Sequence, residues 1–140
     1  MNRKKRTEIL IQGSADVAPQ LAREILATYD LEIVEQSHSG LVMVQIRESA
    51  KRGLFYLGEV LITECKVMVN GNLGIGMVIG HEPELALHLA VIDAAYNGQL
   101  TEVTGWHDTL LAEEELIKRQ HAAFNQQILR TKVNFDAMDV

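Results

Sequence analysis

Residues 54–79 read Leu-Phe-Tyr-Leu-Gly-Glu-Val-Leu-Ile-Thr-Glu-Cys-Lys-Val-Met-Val-Asn-Gly-Asn-Leu-Gly-Ile-Gly-Met-Val-Ile. In the second half of this stretch Cys65, Val67 and Val69 alternate with Glu64, Lys66 and Met68. A period of two is the mark of a half-buried strand. Asn70-Gly71 favours the positive φ angles of a type I′ hairpin turn. Leu73–Ile79 is therefore expected to return antiparallel to the strand before it. A two-residue turn cannot join parallel strands, which need a long crossover. The first half, from Leu54, alternates less cleanly, and Gly58-Glu59 marks an expected bulge.

Upstream, the period of two recurs in Leu31–Gln36 and in Leu41–Arg47, where Val42, Val44 and Ile46 share a face. His38-Ser39-Gly40 between them reads as a turn. Four strands in an antiparallel meander over residues 31–80 are the expectation. Earlier still, residues 6–30 read as two helices broken at Gly13-Ser14, with Asp16 as a cap and Pro19 in the first turn. Val17, Leu21, Ile25 and Tyr29 form the core stripe of the second. Glu48–Gly53 is polar and reads as a loop.

Downstream, Pro83 opens a helix over 83–97. Leu85, Leu89, Ile92 and Tyr96 make its stripe, and Ala86, Ala90, Ala94 and Ala95 are small packing positions. Asp108 is placed to cap a last helix over 109–131, about 34 Å long. That exceeds what a four-stranded sheet needs as cover, so part of it is expected to project toward a partner. Leu110, Ile117, Phe124 and Ile128 lie on its narrow apolar stripe. Trp106 is expected to pack beside its start. Val133, Phe135 and Met138 form an apolar tail, read as a docked strand or hook. The fold class is α+β: a four-stranded meander covered by helices, in a single domain spanning 1–140.

Composition narrows the function. The chain has 140 residues and a net charge of −6. Arg3, Lys4, Lys5 and Arg6 hold four of its 13 basic residues, so the body beyond them is more acidic still. Such a body is a poor match for nucleic acid or an anionic membrane. One cysteine, Cys65, excludes an internal disulfide and a cysteine metal cluster, and suits a reducing, cytoplasmic compartment. By alternation Cys65 faces inward as a small hydrophobe. No run has the apolar length of a signal peptide or a membrane span.

No residue set forms a chemical signature. Gly74, Gly76 and Gly80 are spaced Gly-x-Gly-x-x-x-Gly, not as a dinucleotide fingerprint, and follow a hairpin rather than opening a βαβ unit. They instead give the strand a smooth face for a helix or another chain, which marks Gly74 and Gly76 as packing positions. The five histidines, His38, His81, His88, His107 and His121, include no i,i+4 pair, so no metal is expected. Glu84 and His88 read as a surface pair. Gly80-His81, at a strand-to-helix junction, is the weak candidate for an anion site. No cofactor is expected in this chain.

Several segments together resemble the PhnG family, the G subunit of the bacterial carbon–phosphorus lyase system. They are Phe55–Val67, Gly74-Ile75-Gly76-Met77-Val78-Ile79-Gly80, and Ala90-Val91-Ile92-Asp93-Ala94-Ala95. The ending Val133-Asn134-Phe135-Asp136-Ala137-Met138 resembles that family's Val-Asp/Asn-Phe-x-x-Met tail. The resemblance runs from about Arg6 to Met138, and its specificity lies in the order and spacing of the segments. His81 and His88 depart from it, standing near positions where the family carries basic residues such as Arg. Any anion or carboxylate contact there would differ in this chain or depend on pH.

The resemblance implies a small subunit of a core complex with the H, I and J subunits. In that system an alkylphosphonate displaces adenine from ATP to give ribose 1-phosphonate 5-triphosphate. A radical Fe–S step in another subunit later cleaves the C–P bond. The adenine-displacing chemistry is usually placed on the I subunit, with G required. A scaffold role through Leu110, Ile117, Phe124, Ile128, Val133, Phe135, Met138, Gly74 and Gly76 is the expectation, with a homo-dimer or higher oligomer when alone. The alternative is a direct role, with Gly80 and His81, and with Lys51 and Arg52, holding ATP or phosphonate. A third reading is an unrelated small-ligand-binding domain.

Overall fold

In a computed structural model, the structure describes residues 1–47 and 53–138, with the side chains of 46, 47, 55 and 132–138 left aside. The elements in order are α1 (Arg3–Gln12), α2 (Val17–Thr28), β1 (Leu31–Arg47), β2 (Leu54–Val69), β3 (Asn72–Ile79), α3 (Pro83–Asn97), a 3-10 turn (Thr101–Gly105) and α4 (Trp106–Met138).

The Asn2 side chain caps α1 by accepting the Lys5 N–H at 2.8 Å, and Gly13 ends it. Asp16 precedes α2 but makes no side-chain cap bond. Pro83 opens α3, where its missing N–H would have had no helical partner anyway. The Asn70-Gly71 turn has φ of +50° and +78°, as a type I′ turn requires.

Among the described residues the sheet has three antiparallel strands in the order β1-β2-β3, where four were expected. The stretch through His38-Ser39-Gly40 does not turn; it continues as β1. The register gives the reason. From Glu35 to His38 β1 advances three residues while β2 advances two, Lys66 to Glu64, and a similar slip lies between Ile33 and Glu35. Surplus residues are absorbed as bulges rather than as a reversal. The Ser37 hydroxyl, inside that region, donates to the Pro83 carbonyl at 2.7 Å. A third slip leaves Leu57 unmatched beside Gly58, where the sequence placed its irregularity.

The layers stack as sheet, then α3, then α2. Cys65, Val67, Val69, Gly74, Gly76 and Val78 face α3 from the sheet. Ala18, Leu21, Ala22 and Ile25 of α2 are buried on the α3 side of the core. Enclosed between them, α3 is buried from Leu89 through Ala95, almost without an exposed face. α4 begins at Trp106, so Asp108 sits within its first turn rather than capping it. Its backbone stays helical through Val133, Phe135 and Met138, where a strand or hook was expected. No Gly or Pro stands between Trp106 and Met138 to stop it. The side chains of those three tail residues lie outside the described residues.

Candidate functional site: a bare hairpin arm, a projecting helix and a buried ion cluster

β3 pairs only with Ile62–Val69 of β2. Beyond that point, among the described residues, β1 and β2 continue as a two-stranded ribbon, from Leu41 to Arg47 and from Leu54 to Leu61. Cross-strand partners share a face, so Leu41 and Leu61 lie on one side of this arm and Val42 and Val60 on the other. Leu41 is 65% exposed, and Met43, Leu54, Tyr56, Leu57 and Leu61 are exposed with it. A two-stranded ribbon is marginal in water by itself. An arm apolar on both faces is chemically suited to insertion between other protein surfaces.

The outer face of the sheet continues this surface. Ile79 is 74% exposed, and Leu73 and Met77 are exposed beside it. Glu35, Glu64 and Lys66 form an ion-pair group on the same face, with Lys66 Nζ 3.6 Å from Glu35 and 3.9 Å from Glu64.

α4 divides into two parts. Leu110 and Ile117 are buried against this chain's own core, with Trp106. The Trp106 indole N–H donates to Glu24 at 2.8 Å, and its ring meets Tyr96 with centroids 5.7 Å apart. Lys5 pairs with Glu114 at 3.0 Å, and Glu113 accepts the Ser14 N–H at 2.9 Å. Past Lys118 every described residue to Thr131 is exposed, including Phe124, Ile128 and Leu129.

A third feature is interior. Asp93, buried on α3, accepts from Arg6 at 2.9 Å, from Arg3 Nε at 3.2 Å and from the Ile75 N–H at 3.0 Å. The Arg6 guanidinium also lies 3.8 Å from the centre of the Tyr96 ring. Burial lowers the Arg6 pKa from its ordinary value, and Asp93 opposes that fall. Arg3 donates in addition to the Ile75 carbonyl at 3.3 Å. The cluster thus ties α1 and α3 to the edge of β3. It borders a groove of about 470 Å³ with Leu10, Leu89 and Ile92 at its base and Lys4 on its rim.

The model of the family described as phosphonate metabolism protein PhnG matches residues 1–139. The chain belongs to the PhnG family. It therefore has a role in phosphonate metabolism.

In this PhnG member the sequence-nominated residues fall into distinct places. Gly74 and Gly76 are covered by the chain's own α3. A Cβ on Gly74 would collide with the Ala90 carbonyl oxygen, and one on Gly76 with that of Ala86. Together with Leu110 and Ile117, they are thus already occupied within the chain. Phe124 and Ile128 stand free on the projecting helix. Gly80 takes φ of +90°, while its carbonyl accepts the Thr63 hydroxyl at 2.6 Å. The Gly80 N–H donates to Leu61 at 2.8 Å and the Glu82 N–H to Thr63 at 3.0 Å. Those two amides of the junction are already committed, which weakens an anion site beside the exposed His81. Lys51 and Arg52 lie outside the described residues.

Sequence reasoning missed the Arg3–Arg6–Asp93 cluster. Asp93 is the one charged residue in the apolar run Leu89–Ala95, and a carboxylate there needs a buried partner. That signal was available. The identity of the partner, 87 positions earlier in the chain, was not.

Proposed function

We propose that this chain is an accessory, assembly-type subunit of the carbon–phosphorus lyase core complex. It would join the H, I and J subunits and be required for the step in which an alkylphosphonate displaces adenine from ATP. The observation that carries the reading is the β1–β2 arm, with exposed apolar side chains on both faces and no covering helix among the described residues. The exposed second half of α4, with Phe124 and Ile128, supports it. These surfaces match an interface core, where a few large apolar anchors supply most of the binding energy. Membership of the PhnG family supports the choice of partners.

The test is co-expression with the H, I and J subunits, affinity capture through this chain, and native mass of the product. A defined assembly containing this chain is the expected result. Recovery of the chain apart from all three subunits would overturn the reading. ATP binding by the lone chain, lost on His81→Ala, would favour direct participation instead.

A further inference from the structure

β3 forms the edge of the sheet opposite β1, and the groove of about 470 Å³ runs beside it, bordered by α1 and α3. Ile75 turns its N–H and C=O away from β2, since Asp93 accepts from the first and Arg3 donates to the second. An added strand would need those groups, so this chain's own side chains close the edge to it at Ile75. By alternation Met77, two residues on, turns its backbone groups to the same edge. Among the described residues its N–H has no partner there, and Met77 lines the groove.

Arg6 supplies further donors. A guanidinium carries several N–H groups in one plane. Among the described residues Arg6 hydrogen-bonds only through Nη2, to Asp93, while the Tyr96 ring covers the flat face of the group. Arg6 is only 6% exposed. Yet among the described residues no side-chain nitrogen is both enclosed and without a partner, so the remaining N–H groups of Arg6 reach open space, and the groove is what Arg6 lines. Charge completes the pattern. Arg3, Lys4 and Arg6 line the groove against Glu8 and Asp93, a local surplus of one positive charge in a chain whose net charge is −6. The floor, by contrast, is apolar: Leu10, Leu89 and Ile92 are all buried beneath it.

We propose that this groove binds a small monoanion with an apolar body, its head toward Arg6, Lys4 and the Met77 N–H and its body on Leu10, Leu89 and Ile92. One surplus positive charge is neutralised by one negative charge, and the floor offers nothing to a polar body. The volume lies within the range of small-molecule sites, about 300–1,000 Å³. An extended peptide is the poorer occupant, because strand addition needs successive free backbone groups and those of Ile75 are taken. The groove lies at the sheet edge away from the bare arm, so this binding does not rest on the assembly role.

Octanoate is the probe, titrated into the full-length chain by calorimetry. A Kd of about 1 mM or tighter is expected. Affinity should fall about fourfold for each CH₂ removed, through heptanoate to hexanoate. Hexan-1-ol should bind at least about tenfold more weakly than hexanoate, because it lacks the charge. In NMR spectra octanoate should shift the Met77 amide and the Arg6 Nε–H. Lys4 and Ile11 are exposed residues of the groove, so Lys4→Glu and Ile11→Glu should leave the circular dichroism spectrum unchanged. Each should weaken octanoate binding at least about fivefold. A Kd for octanoate weaker than about 1 mM overturns the proposal. So do equal affinities for hexanoate and hexan-1-ol, shifts confined to Leu41 and Leu61 of the bare arm, or undiminished binding by both variants.

Discussion

The two ends of one hairpin differ in what covers them. Near the Asn70-Gly71 turn, β2 carries Cys65, Val67 and Val69 under α3, and all three are buried. At the far end β1 and β2 carry the exposed Leu41, Met43, Leu57 and Leu61, with no helix over them among the described residues. Hydrophobicity is similar at both ends. The difference teaches that the near end holds this molecule together while the far end is available to another. Mutations should therefore separate stability, at the end packed against α3 and β3, from association, at the bare end.

The largest effect is expected where the near end is tied down. Asp93→Ala leaves the buried Arg6 guanidinium without its carboxylate, and should cost about 3–5 kcal/mol. Denaturant unfolding followed by circular dichroism measures it, and a loss under 1 kcal/mol would show that water reaches Arg6. Next comes Gly76→Ala. Its Cβ would enter the space of the Ala86 carbonyl, forcing α3 off the sheet at about 1–3 kcal/mol.

The far end should behave in the opposite way. Leu57→Lys, at an exposed site, is expected to change the stability of the isolated chain by less than about 0.5 kcal/mol. In affinity capture with the H, I and J subunits it should reduce recovery by at least about tenfold, as loss of an interface anchor does. A variant that unfolds, or one that associates normally, would erase the distinction between the ends.

The smallest effect concerns pH. Burial holds His88 on α3 below its ordinary pKa of 6.5, with Glu84 opposing and Arg23 reinforcing the shift. The unfolded chain therefore takes up a proton first as pH falls. The His88 contribution is intact above pH 6.5 and is lost as pH drops from there through the lower folded value. His88→Gln should flatten the acid side of a plot of melting temperature against pH. An unchanged slope would place that acid sensitivity elsewhere.

The β2–β3 hairpin was legible because Asn70-Gly71 is a local signal with a local cause. The stripes of α2 and α3 were legible because period 3.6 puts their apolar residues on one side. The break at His38-Ser39-Gly40 was misread for an equally physical reason. A polar, Gly-containing triplet in a strand can reverse the chain or be taken up as a bulge, and the choice depends on the partner strand's register. Likewise, the stripe of α4 was visible from Leu110 to Ile128, but not where the core beneath it stops.

Sequence alone determined the antiparallel character of the sheet, the helical segments and, through the ordered spacing of its motifs, the family. Those rest on local dihedral preferences and on which side chains share a face. Tertiary structure decided what lies over each face. It set α3 against Gly74 and Gly76, placed Leu110 and Ile117 in the core, paired Arg6 with Asp93, and left the β1–β2 arm bare. Periodicity records which residues point together, whereas burial depends on which distant segment arrives to meet them.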